Sequence, residues 1–157
     1  MIYEIHHERR DEILLSTDKA KLDIKTIHNF LKTSYWAKDV PISVVEKSIN
    51  NSLCFGVYEF DKQIGFARVI SDYATFAYFL DVFILESYRG QGLGKWLMES
   101  IFRYSELQNL KTWLLSTADA HELYRQFGFK HLPSPERMMV ISTSSGTEVK
   151  EPRNSQL

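Results

Sequence analysis

The segment that most constrains this chain begins as an apolar run, Phe76 to Leu85, and continues through Arg89-Gly90-Gln91-Gly92-Leu93-Gly94-Lys95. An amphipathic pattern follows, in which Leu93, Trp96, Leu97, Ile101 and Phe102 recur at helical spacing to near Leu107. A strand therefore feeds a helix through three alternate glycines. Glycine accepts left-handed backbone angles and lets main chain approach a ligand closely. The first amides of a helix have no partner within it, and the aligned peptide dipoles add partial positive charge there. Such a loop suits a phosphate, with Arg89 and Lys95 as cations at its edges. A connection that merely turns the chain is the alternative. A P-loop is excluded because Gly94-Lys95 is followed by Trp96 rather than by Ser or Thr. The dinucleotide fingerprint is excluded because the glycines fall at 90, 92 and 94, not at Gly-x-Gly-x-x-Gly spacing.

Around this segment the pattern alternates between layers. Ile13–Ser16 reads as a short strand after a charged lead-in, and Thr17-Asp18 as a helix start. Leu22, Ile24, Ile27, Phe30 and Leu31 then hold helical spacing to about Lys32. Ser34-Tyr35-Trp36-Ala37 is aromatic and irregular. Pro41 suits a first helical position, with Val44, Val45 and Ile49 on one face. Leu53–Phe60 and Ile64–Ser71 read as strands joined by Asp61-Lys62-Gln63, and Thr112–Ser116 as another strand. Ala120, Leu123, Tyr124 and Phe127 share a helix face that Gly128 ends. Phe129–His131 and Met138–Ser142 read as the last strand pieces. The order predicts an α+β, mixed α/β layer arrangement in one domain over residues 1–142, with a disordered polar tail over 143–157.

Composition narrows the partners. A net charge of -1 provides no field for nucleic acid or an anionic membrane. Cys54 is the one cysteine, so an internal disulfide framework is excluded and a reducing compartment fits. The opening MIYEIHHERRDEILL does not read as a secretory signal, and a cytoplasmic location is expected. The five histidines and Cys54 show no paired spacing for a metal, so none is expected.

Two motifs carry a resemblance. Arg89-Gly90-Gln91-Gly92-Leu93-Gly94 after a strand, and Ala120-His121-Glu122-Leu123-Tyr124-Arg125-Gln126-Phe127-Gly128-Phe129 downstream, together resemble the GNAT superfamily, the GCN5-related N-acetyltransferases. The resemblance covers roughly Leu53 to Ser142. It implies a curved, mostly antiparallel sheet with a V-shaped splay between two central parallel strands and helices on both faces. It implies acetyl-CoA as co-substrate, with Val82, Phe83 and Ile84 pairing its pantetheine arm and the pyrophosphate on Gln91 to Lys95. Thr117 stands where the family often has a cofactor-touching Asn. Direct transfer to a primary amine is implied, so Cys54 is not needed as a nucleophile and reads as a small core side chain.

Tyr124 is, by that resemblance, the general acid for the leaving thiolate; a phenol stays protonated at neutral pH. Read alone it is more readily a core tyrosine anchored by its hydroxyl, and the motif context reverses that preference. Asp81 interrupts the apolar strand Tyr78-Phe79-Leu80-Asp81-Val82-Phe83-Ile84, and strand alternation predicts it on the face of Phe79 and Phe83. It is a candidate base, a carboxylate bonded to a neighbouring loop being the alternative and a water chain another route for the proton. Tyr35, Trp36, Asp72, Tyr73 and Tyr78 are candidate walls for the acceptor, since aromatics with acids suit an alkylammonium group; ordinary packing is their other reading. The expected acceptor is a small amine, a cationic one included, and relatives that pair through late strands leave a homodimer through Met138–Ser142 open. A binding module that senses acyl-CoA without turnover is the competing function.

Overall fold

The computed structural model describes residues 4–141. The chain divides into two compact units, one ending at Ala118 and one beginning at Asp119. The first holds a six-stranded sheet in the order β1 (His7–Arg10), β2 (Ile13–Ser16), β3 (Leu53–Glu59), β4 (Lys62–Ser71), β5 (Phe76–Ile84) and β6 (Thr112–Leu114). All neighbours are antiparallel except β5 and β6, which run parallel. The mixed fold expected from the sequence is what forms.

Helix α1 (Ile24–Leu31) and helix α2 (Ile42–Asn50) pack on one face, where Ile27, Leu31, Val45 and Ile49 cluster with Cys54, Phe66 and Phe83. Helix α3 (Leu93–Arg103) covers the opposite face: Phe79 of β5 meets Phe102 edge-on at 5.7 Å. Phe55 and Phe66 are fully buried on opposite sides of the sheet, each burial contributing about 2–3 kcal/mol.

Several boundaries differ from the sequence reading. Asp18 caps only a single 3-10 turn over Lys19–Lys21; Leu22 is extended, and α1 starts after Asp23, whose carboxylate accepts from the amides of Lys25 and Thr26. The charged lead-in forms β1. On α2, Val45 and Ile49 are buried but Val44 is 52% exposed, because 44 and 45 are about 100° apart on the helix. Pro41 is the cap of that helix, one place before its first residue. Helix α3 stops at Arg103, where Tyr104 turns extended, and Ser105–Leu107 is a 3-10 turn.

In the second unit, α4 (His121–Arg125) carries Tyr124, and Gly128 ends the segment with φ 89°. Neither Phe129–His131 nor Met138–Ile141 is a strand among the described residues. Pro133 and Pro135 lack amide donors, and a 3-10 turn over Pro135–Arg137 leads directly into Met138. Ser142 and the 143–157 tail lie outside the described residues.

Candidate active site

The parallel ladder between β5 and β6 is short. It pairs Phe76, Ala77 and Tyr78 with Thr112, Trp113 and Leu114 and then stops, while β5 continues to Ile84. The two strands part beyond Tyr78, which is the splay the resemblance implies, with Val82, Phe83 and Ile84 on the stretch that β6 leaves.

The glycine loop follows directly. A 3-10 turn over Glu86–Tyr88 is pinned by the Tyr88 hydroxyl, which donates to Glu59 at 2.8 Å, and by Arg89 Nε, which donates to the Ile84 carbonyl at 2.9 Å. Arg89 therefore fastens the loop to the end of β5. Gly90 and Gly92 take φ of 77° and 75°, angles that an L side chain adopts only under strain. Gly92 is the N-cap of α3 and offers no side-chain cap; its carbonyl accepts from Trp96 at 3.0 Å. Among the described residues, the amides of Gly90 to Lys95 have no hydrogen-bond acceptor. Arg89 to Gly92 and Lys95 are exposed, whereas Leu93 is anchored in the core. A row of unpaired amides thus faces solvent at the positive end of a helix.

Asp81 sits in a β-bulge. Arg68 of β4 pairs with Leu80 and Phe66 with Phe83, so Asp81 and Val82 together oppose Ala67 alone. The φ of Asp81 is 53°. The bulge breaks the alternation expected along β5: Phe79 turns to Phe102 and Trp113, whereas Phe83 stacks on Phe30 of α1 at 3.9 Å. Phe79 and Phe83 thus occupy opposite faces, and Asp81 cannot share a face with both. Its Oδ2 accepts from Arg68 Nε at 2.7 Å and its Oδ1 from Trp36 Nε1 at 3.3 Å, and Arg68 Nη1 reaches Ser52 Oγ at 3.2 Å.

That contact brings the 34–37 loop over β5. Ser34 Oγ donates to the Leu31 carbonyl at 2.6 Å and accepts from the Ala37 amide at 3.2 Å, closing the turn after α1. Tyr35 and Trp36 lie edge to face at 5.0 Å and are 58% and 43% exposed. The Tyr35 hydroxyl accepts from the Ala118 amide at 2.9 Å, next to the half-buried Thr117. Tyr78, opposite Ile70, is half-buried.

Asp72 and Tyr73 are elsewhere. They form the β4–β5 turn, about 15 Å along the strand from Asp81. The Asp72 carboxylate accepts from the Thr75 hydroxyl and from the amides of Ala74, Thr75 and Phe76, which hold its pKa far below the usual carboxylate range. Tyr73 lines a depression with Lys19, Ser52, Val69 and Tyr104 that contains no residue of the glycine loop.

In the second unit, Tyr124 is 9% exposed and its ring meets Phe129 edge-on at 5.9 Å. Cys54 is buried, and burial pushes its thiol up to about 12, which leaves it protonated and inert at neutral pH. Among the described residues no cluster of three His, Cys, Asp or Glu could hold a metal, and no helix is long and apolar enough to cross a membrane.

Two functional candidates escaped the sequence reading. Arg68 looked like an ordinary strand residue until the ladder set it against Asp81. Arg10 of β1 places its guanidinium nitrogens 3.6 and 3.9 Å from where a Cβ on Gly92 would stand.

The family model described as an acetyltransferase (GNAT) domain matches residues 50–131. A presumed acetyltransferase of Gibberella zeae is 30% identical over 85% of this chain and 88% of its own. A crystal structure of a presumed GNAT-family acetyltransferase from Xanthomonas campestris superposes with TM-score 0.81 at 45% identity, covering 83% of this chain and 93% of that one. A GNAT-family acetyltransferase of Elizabethkingia anophelis, solved with acetyl-CoA bound, shares the fold with TM-score 0.60 at 15% identity, over 77% of this chain and 78% of that one.

Proposed function

This chain belongs to the GNAT acetyltransferase family, and on that premise we propose that it transfers an acetyl group from acetyl-CoA directly to a primary amine of a small acceptor. The observation that carries the reading is the row of solvent-facing, unpaired amides from Gly90 to Lys95 at the start of α3. A diphosphate supplies the acceptor oxygens those donors lack. Val82, Phe83 and Ile84, on the stretch of β5 that β6 leaves, would pair with the pantetheine arm, and Thr117 would lie along it. Bound acetyl-CoA supplies the activated thioester carbonyl. An amide near Phe83 or Ile84 would stabilise the charge that develops on the carbonyl oxygen.

Tyr124 would protonate the departing sulfur, and the amine proton would pass to Asp81 directly or through water. Tyr35, Trp36 and Tyr78 would form the acceptor wall. Two aromatic faces beside a carboxylate favour an alkylammonium group, so a cationic amine is the acceptor class we favour. The exposed row Met138, Met139, Val140 and Ile141 supports a homodimer that covers it.

The test has two stages. Acetyl-CoA at about 100 times its Kd should stabilise the fold by about 2.7 kcal/mol, read as a rise in Tm. No shift at millimolar acetyl-CoA ends the proposal. Free-thiol release across a panel of small amines then reports transfer. A shift without release from any amine would leave an acyl-CoA sensor.

A further inference from the structure

Strand β1 has four residues, His-Glu-Arg-Arg, and is the outermost strand of the sheet. Its pairing with β2 sets one side of it; Glu8 sets the other. Glu8 Oε1 accepts from Trp96 Nε1 at 2.8 Å and from Arg103 Nη2 at 2.7 Å, which lays the strand along α3. Alternation returns Arg10 to the face of Glu8, about 7 Å further on. Gly92 is one helical turn, about 6 Å, before Trp96. The two repeats match, so the Arg10 guanidinium arrives beside the N-cap of α3, nitrogens 3.6 and 3.9 Å from the Gly92 Cβ position.

This arrangement is electrostatically unfavourable as it stands. A cation beside the N-terminus of a helix is at the wrong end of the dipole, where carboxylates are the stabilising neighbours. Arg10 is exposed, and among the described residues its guanidinium has no ion pair or hydrogen bond. The nearby amides of Gly90 to Lys95 have none either. Two sets of unsatisfied donors, one from the loop and one from a strand far away in sequence, converge on one spot. An anion between them relieves both.

We propose that Arg10 is a cofactor-binding residue, its guanidinium contacting the diphosphate of acetyl-CoA from the side opposite the loop amides. This rests on the acyl-CoA reading of the loop and extends it to a strand outside both motifs. The guanidinium fork suits two phosphate oxygens at once, which an ammonium cannot match.

The experiment titrates acetyl-CoA and its 3′-dephospho form into the wild-type chain, Arg10→Gln, Arg10→Lys and, as control, Arg9→Gln, at low and high salt. Arg9 lies on the other side of the pleat, so its variant removes the same charge without the contact. The expected result is a Kd about 10-fold weaker for Arg10→Gln with both ligands, partial recovery in Arg10→Lys, and no more than a small salt-sensitive change for Arg9→Gln. A Kd unchanged in Arg10→Gln, or weakened equally in Arg9→Gln, overturns the assignment while the loop reading stands. A loss confined to the ligand with the 3′-phosphate also overturns it. Failure of the wild-type chain to bind either ligand removes the loop reading itself.

Discussion

Arg68 and Asp81 face each other across the β4–β5 pair at 2.7 Å, where two residues of β5 oppose one of β4. Their side chains are only 12% and 9% exposed. The ion pair therefore holds the bulge in shape, and through Oδ1 it also holds the indole of Trp36. Arg68→Ala would leave a nearly buried carboxylate without its cation. The expected loss is about 3 kcal/mol in urea unfolding, since breaking such a pair costs far more than the pair is worth. A loss within 0.5 kcal/mol, the range of an ordinary surface change, would mean that solvent already compensates Asp81.

Asp81→Asn separates anchoring from chemistry. If Asp81 takes the amine proton, thiol release at pH 7 falls about 100-fold in this variant, with acceptor KM little changed. If it only orients Trp36, the weakened step is acceptor binding, and KM rises with kcat little changed. Unchanged rate and unchanged acceptor affinity would reduce the carboxylate to a structural role.

Tyr124→Phe tests the proposed acid. The hydroxyl is the sole group removed, and the ring still packs against Phe129. Thiol release should fall about 100-fold at saturating acetyl-CoA, with cofactor Kd unchanged. Turnover equal to wild type would withdraw the assignment.

Local features were legible and paired ones were not. The glycine loop and α3 could be read because glycine spacing and a 3.6-residue period are properties of one segment. Strands β3, β4 and β5 were found within a residue or two on the same ground. Strand β1 was missed because His7, Glu8, Arg9 and Arg10 carry no apolar alternation; what makes them a strand is the ladder to β2 and the grip of α3 on Glu8. The face of Asp81 was misread because a bulge is decided between two strands, and no pattern within β5 announces it. Asp72 and Tyr73 drew attention as an acid beside an aromatic, yet that pair is ordinary turn chemistry, Asp72 accepting from the three amides that follow Tyr73. The strands expected near Phe129 and Met138 were judged on apolar content, and apolar content does not supply a neighbouring strand to pair with.

Cys54→Ala addresses the route of transfer. The thiol is buried and, with its pKa near 12, holds its proton at neutral pH. Removing it should lower stability by about 1 kcal/mol, the cost of one small buried group, and leave kcat within a factor of two. A collapse of turnover in a folded variant would instead point to an acyl-cysteine intermediate.

The difference in acid stability between the wild-type chain and Asp72→Asn isolates the contribution of one turn carboxylate. The hydroxyl of Thr75 and the amides of Thr75, Ala74 and Phe76 all donate to it, so its folded pKa lies well below the unfolded value near 3.9. A carboxylate depressed in this way stabilises the fold fully above its unfolded pKa. That contribution is lost as pH falls through the folded value. Asp72→Asn removes the charge but keeps one acceptor oxygen, so it should be less stable than wild type at pH 7 by a constant amount. The gap should hold down to about pH 5 and narrow below about pH 4, as protonation makes the wild-type side chain neutral too. Paired urea midpoints from pH 7 to pH 2 follow this directly. A gap that stays constant to the lowest pH would show that the four donors hold the turn through geometry alone, with no preference for the charged form.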